Sequence, residues 1–380
     1  MRIGIDARLY SESGIGRYIR NLVSNLSEID GENEYFVFLN SKNFDAEFAK
    51  NFTKVKTDIS WYSLKEQLQF PKILGKYNLD LMHFPHFNVP IFYRGKFIVT
   101  IHDLIHQKFA MKRATTRNLL LYKLKQYGYK KVFSSAIKKS QKIITVSDYV
   151  KDQLKDEWRV EDKKIIVTKE GVEENLIKLG KEISEKEAKK VLDKFNIRQP
   201  FLFYIGNAHP HKNVEGLIKA FLELRKKYQY LQLVLSGNDH YFWQKVRKDF
   251  QNKDIIYTGF ISDEELVSLY KTAKVFVLPS FEEGFGIPIL ESFALGCPVV
   301  ASDIGALKEV GGDGAIYFNP FPPRHPERSE GSSDLAEKIE KVLNDQKLSK
   351  QLIEKGEKKY KQFSWKKLAE DTLKVYSLVK

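Results

Sequence analysis

Two successive doubly wound α/β domains are the fold that this sequence predicts, and three observations carry the prediction. Short β-branched runs alternate with longer helical patterns along most of the chain, the signature of βα units and parallel sheets. A charge-dense stretch interrupts the alternation near the middle. The 380 residues also exceed the roughly 250–300 at which one hydrophobic core stops growing.

In the first half the expected strands are Arg2–Asp6, Tyr35–Leu39, Asp80–Phe84, Phe97–His102, Lys142–Val146 and Lys164–Thr168. Helical patterns lie at Ile15–Ile29, Tyr62–Leu74, Thr115–Lys139 and Asp148–Glu157. The polar segment Glu173–Lys194, ending in Ile197-Arg198-Gln199-Pro200, reads as the connection between domains, with the linker at about 173–198. A second series of strands opens at Phe201–Ile205 and continues through Leu231–Ser236, Asp254–Thr258, Val275–Pro279, Pro298–Ala301 and Ala315–Phe318. Its helices are expected at Asn213–Tyr228, Tyr241–Phe250, Asp263–Thr272, Phe285–Leu295 and Asp334–Leu343. The domains are therefore placed at 1–172 and 173–363. Each puts ligands at the carboxyl ends of its strands, with a cleft between the two as the expected active site. The proline-rich stretch 319–333 is longer than a usual strand-to-helix join and reads as a surface loop without chemistry.

Composition removes several classes. With 42% hydrophobic and 29% charged residues the chain reads as a folded globular protein. One cysteine forbids an internal disulfide, and Cys297 in Gly296-Cys297-Pro298-Val299-Val300 reads as a buried small residue in a reducing compartment. No stretch reaches the roughly 20 apolar residues that span a bilayer. An acid at Asp6 interrupts any secretory apolar region. The expected location is the cytoplasm, with peripheral attachment at the inner face of the cell membrane as the further expectation. That expectation comes from the net charge of +14. Met111–Lys142 holds ten Lys or Arg and no acid, interleaved with residues such as Leu119, Tyr122, Tyr127 and Phe133. One reading is a basic, partly amphipathic helix that meets an anionic membrane or a phosphate-bearing ligand. The other is a solvated helical face packed through its apolar side.

The chemistry concentrates in Glu282-Glu283-Gly284-Phe285-Gly286-Ile287-Pro288-Ile289-Leu290-Glu291. Gly284 and Gly286 let backbone approach a ligand at a helix start, where free N–H groups and the helix dipole favour an anion. Pro288 suits the first turn, where its missing N–H costs nothing. Glu283 before the helix and Glu291 within it are placed to accept hydrogen bonds from a ligand's hydroxyls. Taken singly, Glu283 is an ordinary capping acid and Glu291 an ordinary solvated helix residue.

Glu283-x7-Glu291 around Gly-Phe-Gly resembles the signature of the retaining glycosyltransferases of family 4, which have the GT-B fold. The likeness extends over most of the chain. Tyr204-Ile205-Gly206-Asn207 with Pro210-His211-Lys212-Asn213 resembles the donor-phosphate loop. Gly259-Phe260-Ile261-Ser262 resembles the loop beside the nucleotide base. Ser13-Gly14-Ile15-Gly16, Thr100-Ile101-His102-Asp103 and Thr145-Val146-Ser147 match first-domain positions in order. The resemblance implies that residues 364–380 form a helix returning to the first domain. It implies catalytic roles for Glu283 on the transferred sugar, Lys212 on the donor pyrophosphate and His102 beside the sugar. Glu291 would bind the ribose, Phe285, Gly286 and Ile287 would present backbone N–H groups, and Gly14 and Gly16 would face the phosphates or the acceptor. Gly206, Asn207, His211, Gly259 and Phe260 complete the implied donor site. Many family members carry an Arg where this chain has Asn207 or His211, which leaves Lys212 as the full cation on the diphosphate.

Asp-x-Asp occurs nowhere, in agreement with a metal-independent donor site and no cofactor. The pairs His83/His86 and His102/His106 lack clustered carboxylates or cysteines, so no metal is expected. A dinucleotide-dependent oxidoreductase has only Gly14-Ile15-Gly16 in its favour, since Ile19 stands where the fingerprint's third glycine belongs. A nucleic-acid-binding protein, or a membrane-surface module with a degenerate nucleotide site, rests on the basic run alone, and no nucleic-acid partner is expected. The motifs resemble a non-hydrolysing sugar-nucleotide epimerase less well. The resemblance thus implies hexosyl transfer from a nucleotide-diphosphate sugar, GDP-mannose first and UDP-hexoses next, to a glycan or lipid-linked acceptor. Its nearest likeness is to bacterial mannosyltransferases of surface-polysaccharide synthesis.

Overall fold

A computed structural model describes residues 1–105, 119–238, 241–321 and 330–379. The chain forms two compact units: Met1–Glu170 with Ser364–Lys380, and Gly171–Phe363.

The first unit is built on a seven-stranded parallel sheet, β1 (Arg2–Asp6), β2 (Glu34–Leu39), β3 (Phe52–Lys56), β4 (Leu81–Phe84), β5 (Phe97–Ile101), β6 (Lys142–Thr145) and β7 (Ile165–Val167). Its order is β3-β2-β1-β4-β5-β6-β7. The direction of strand addition reverses between β1 and β4, so the crevice of a doubly wound sheet opens beyond Asp6 and Phe84. Strand β3 is absent from the sequence reading. It is an edge strand whose only buried side chains are Phe52 and Val55, and its lysines face outward, a weak pattern that also blunts the edge. Around the sheet pack α1 (Gly14–Ile29), α2 (Leu64–Leu74), α3 (Leu119–Lys139) and α4 (Asp148–Trp158). Helix α1 buries Tyr18, Ile19, Leu22, Val23 and Leu26, one continuous face at helical spacing. Of the basic run, residues 111–118 lie outside the described residues, and α3 carries the rest up to Lys139.

The second unit holds a six-stranded parallel sheet, β8 (Phe201–Ile205), β9 (Gln232–Ser236), β10 (Ile255–Gly259), β11 (Val275–Leu278), β12 (Val299–Ser302) and β13 (Ala315–Phe318), in the order β10-β9-β8-β11-β12-β13. Its reversal falls between β8 and β11. The segment read as a linker is instead two helices, α5 (Glu174–Glu182) and α6 (Glu185–Lys194). Few but periodic apolar residues explain the difference: Leu176, Ala188 and Leu192 are buried, and a Ser184/Glu187 capping box starts α6. Lys271 Nζ donates to the Gly180 and Ile183 carbonyls at 2.8 Å each and closes the end of α5.

The remaining helices of this unit are α7 (Val214–Arg225), α8 (Tyr241–Asp249), α9 (Asp263–Thr272), α10 (Ile287–Ala294), α11 (Gly305–Gly311), α12 (Glu330–Asn344) and α13 (Gln346–Tyr360). Helix α13 has no counterpart in the sequence reading because it packs through Ser349, Leu352 and Gly356 rather than through a row of large apolar residues. A Cβ on Gly356 would stand 2.4 Å from the Phe293 ring, so that glycine permits a close crossing with α10. Residues 322–329 of the proline-rich loop lie outside the described residues.

The last helix, α14 (Trp365–Ser377), belongs to the first unit and packs on α1, with the Tyr18 and Trp365 rings edge to face at 6.3 Å. Tyr376 contributes its hydroxyl to His83 Nδ1 at 2.8 Å, while His83 Nε2 meets Thr100 Oγ1 at 2.8 Å. Burial holds this imidazole neutral, its pKa lowered to about 3. Among the described residues no helix is long and apolar enough to cross a membrane.

Candidate functional site

In the second unit the reversal between β8 and β11 gathers most of the expected donor-site residues. Beyond β8 the chain passes Gly206 and Asn207, whose Oδ1 accepts from the His209 N–H at 3.2 Å, and turns through a short 3-10 helix at Pro210–Lys212. Beyond β11, the Phe281 N–H donates to the His211 carbonyl at 2.7 Å, which ties the two loops together. The tie places Lys212 opposite Glu283. Lys212 Nζ donates to both carboxylate oxygens, at 2.7 and 2.9 Å, and Ser280 Oγ donates to Glu283 Oε1 at 2.7 Å. The two side chains are only 18% and 10% exposed. His209 and His211 stack nearly parallel beside the loop, ring centroids 5.8 Å apart.

Helix α10 begins immediately after this pair. Gly286 caps it at φ 108° and ψ 48°. A Cβ there would stand 2.6 Å from Leu307 Cδ2, so both conformation and space demand glycine. Pro288 takes the first turn, where its missing N–H costs no helical bond, and the Ile289 N–H donates to the Gly286 carbonyl at 3.0 Å. Phe285 turns its ring inward against Phe363, centroids 5.7 Å apart, and the residue is buried. Glu291, one to two turns into α10, is buried rather than solvated, and Tyr270 of α9 donates its hydroxyl to Glu291 Oε2 at 3.0 Å. At the end of β10, Gly259 adopts φ 73° and Phe260 stands 78% exposed. Strand β9 separates β10 from β8, so these two residues lie to one side of the reversal.

Gly14, Gly16 and His102 lie in the first unit. Gly14 opens α1, and a Cβ placed on it would meet nothing within 4 Å, whereas a Cβ on Gly16 would stand 2.7 Å from the carbonyl oxygens of Leu9 and Tyr10. Gly16 therefore serves the close packing of α1 on the preceding loop and does not face open space. His102 is enclosed: Nε2 donates to the Pro85 carbonyl at 2.9 Å, Nδ1 lies 3.7 Å from Glu170 Oε1, and the ring meets Tyr18 edge-on at 4.7 Å. Burial disfavours the imidazolium, but Glu170 and the Pro85 carbonyl outweigh it and raise the pKa above 6.5.

Several residues of both sites escape sequence reasoning. Glu170, Tyr270 and Ser280 have no motif; they act by holding His102, Glu291 and Glu283. At the first unit's reversal, Arg8 is buried between Asp6 (2.7 and 2.8 Å) and Glu66 (2.6 Å), with its guanidinium over the Phe70 ring at 4.0 Å. Asn88 donates to the other oxygen of Glu66 at 2.7 Å. Burial opposes the Arg8 charge, yet its two carboxylates outweigh that and raise its pKa. The only signal was Asp6 and Arg8 at a strand end. Cys297 is buried and its thiol is pushed up to about 12. Among the described residues no three His, Cys, Asp or Glu side chains gather as a metal site; His106 lies outside them.

Two Rossmann-like parallel-sheet units, one carrying a Lys–Glu pair beside a glycine-capped helix start, agree with the resemblance to glycosyltransferases of GT-B fold. Comparison with known proteins makes the assignment specific. Residues 13–176 match the Glycosyltransferase Family 4 model, and residues 185–359 match Glycosyl transferases group 1. The chain belongs to the family 4 glycosyltransferases and is a hexosyltransferase. It is 29% identical to O-antigen chain mannosyltransferase B of Escherichia coli over 316 residues, covering 80% of this chain and 76% of that protein. It is 27% identical to O-antigen chain mannosyltransferase RfbU of Salmonella typhimurium, covering 68% and 66%. The crystal structure of Anabaena Alr3699/HepE in complex with UDP-glucose superposes with a TM-score of 0.75 over 99% of each chain, at 14% identity.

Proposed function

We propose that the protein transfers a hexosyl group, mannose in first place, from a nucleotide-diphosphate sugar to a glycan or lipid-linked acceptor, with retention and without a metal. GDP-mannose is the first donor to test and UDP-hexoses the next. The similarity to two O-antigen chain mannosyltransferases supports mannose. The observation that carries the reading is the Lys212–Glu283 pair at the carboxyl ends of β8 and β11, next to the start of α10.

The chemistry follows from that arrangement. A leaving nucleoside diphosphate gains negative charge as the glycosidic bond breaks. Lys212 and the backbone at the start of α10 stabilise that charge more in the transition state than in the ground state, which is what accelerates transfer. Glu283 accepts from hydroxyls of the transferred sugar, and Glu291, steadied by Tyr270, from the ribose. A protein cation in place of a metal accounts for the absence of Asp-x-Asp. Attachment to anionic lipid through the basic run at 111–142 belongs to the same reading, since it would bring the enzyme to a lipid-linked acceptor.

The test is calorimetry with GDP, UDP, GDP-mannose and UDP-glucose in buffer containing a chelator, followed by NMR assignment of the product anomer. Selective binding of one nucleotide and a retained anomer are the expected results. Failure to bind any of the four, or a strict divalent-metal requirement, overturns the donor assignment.

A further inference from the structure

The first unit carries an exposed apolar row that its core does not use. On α2, Glu66, Phe70 and Leu74 turn inward. Leu64 and Leu68, one turn apart on another face, are 82% and 56% exposed, and Lys72 continues their row. Phe92, between β4 and β5, is 61% exposed. These parts form one surface, because Ile91 is held from both sides. Its N–H donates to Gln67 Oε1 of α2 at 2.8 Å, and its carbonyl accepts from Lys139 Nζ at the end of α3 at 2.7 Å.

Along the segments that build this face the exposed charge has one sign, up to the exposed Asp80 that follows the first of them. Segments 64–79, 85–98 and 126–139 together contain nine Lys or Arg, among them Lys65, Lys72, Arg94 and Lys139, and all nine are exposed. Their single acid, Glu66, is buried against Arg8. Apolar side chains standing among cations with no exposed acid match a layer that offers anions at its surface and hydrocarbon a few ångströms beneath. A polynucleotide supplies the anions but nothing for two leucines to bury against. We infer that this face, centred on Leu64, Leu68 and Phe92, docks the enzyme on an anionic lipid bilayer, the leucines and phenylalanine entering the headgroup boundary and the lysines pairing with lipid phosphates. The inference rests on the lipid-linked acceptor of the proposed function for its purpose, but not for its test.

The full chain is sedimented with vesicles of phosphatidylcholine alone and of phosphatidylcholine with about 30% phosphatidylglycerol, at low salt and at about 0.5 M NaCl, where screening is nearly complete. The same is done for Leu64→Ser/Leu68→Ser/Phe92→Ser and for Lys65→Glu/Lys72→Glu, with melting temperature and nucleotide binding measured in parallel. The expected result is binding that needs phosphatidylglycerol and fades with salt. Each variant should lose roughly tenfold or more in vesicle partition and keep wild-type melting and nucleotide binding. Wild-type partition in either variant overturns the inference, as does equal binding to neutral vesicles. So does a wild-type dimer, seen by sedimentation velocity, that the serine variant alone disperses, because the face would then join two copies. Nucleotide binding lost in the wild type with vesicle binding intact would sink the donor reading and leave the docking surface standing.

Discussion

Glu283→Gln should separate nucleotide binding from transfer. Lys212 commits its ammonium to Glu283, at 2.7 and 2.9 Å. Any diphosphate that uses Lys212 must compete with that carboxylate. Hydrogen bonds to charged groups contribute about 1.5–3 kcal/mol each; residual exposure screens the pair, so about 2 kcal/mol is a fair figure for it. Glutamine keeps the size and a carbonyl for Ser280 Oγ but removes the charge, which frees the lysine. The nucleoside diphosphate should then bind as well as before or up to roughly tenfold tighter, tenfold being about 1.4 kcal/mol. Lys212→Met removes the cation itself and should weaken binding by roughly tenfold or more. Transfer should fall in both variants by on the order of a hundredfold, the usual effect of losing one group that acts on developing charge. Calorimetry with the preferred nucleotide and a transfer assay measure the two quantities separately. If Glu283→Gln weakens nucleotide binding as much as Lys212→Met does, the pair is not a competition for one cation and the reasoning fails.

Other expectations follow from single contacts. Tyr270→Phe removes a donor from buried Glu291, and the carboxylate left short of a partner should cost about 1–3 kcal/mol of stability while raising the donor KM several-fold at nearly constant kcat; an unchanged KM would remove Glu291 from the donor site. His83 has its pKa lowered to about 3 from 6.5, so the unfolded chain takes up a proton that the folded chain refuses, and stability drains away as pH falls below 6.5. The loss should reach about 2 kcal/mol at about pH 5. His102, raised above 6.5, works in the opposite sense: its contribution is full below 6.5 and lost as pH rises through its folded value. A melting-temperature profile between about pH 7 and 5 that His83→Gln fails to flatten would reject the His83 assignment. Gly286→Ala meets both a positive φ and Leu307 at 2.6 Å, and should cost about 2–4 kcal/mol from strain and overpacking together. Gly14→Ala meets nothing within 4 Å and should leave melting unchanged, so equal losses in the two variants would contradict the geometry.

How much of this was legible in the sequence depends on how each element buries itself. Strands β8, β11 and β12 lie inside the second sheet and read as uninterrupted apolar runs. Edge strand β3 buries two residues and reads as nothing. Helix α1 shows its face through five large apolar residues, whereas α5 and α6 fold on Leu176, Ala188 and Leu192, too few to stand out from their charges. Helix α13 was hidden for a different reason, since Ser349 and Gly356 pack by being small, and hydropathy does not register smallness.

The site divides along the same line. Glu283, Lys212 and Gly286 were visible because each stands within a few residues of a strand end or helix start, where local spacing reports on geometry. Other buried contacts were not, because their partners arrive from elsewhere in the chain: Tyr270 is 21 residues from Glu291, and Glu66 is 58 residues from Arg8. Gly16 shows the converse error. Gly14-Ile15-Gly16 has the spacing of a phosphate loop, yet only its first glycine faces open space, and the second is taken up by packing against Leu9 and Tyr10. A glycine pair in sequence thus states that backbone comes close to something. Only the fold says what that something is, and for Gly16 it is the chain itself.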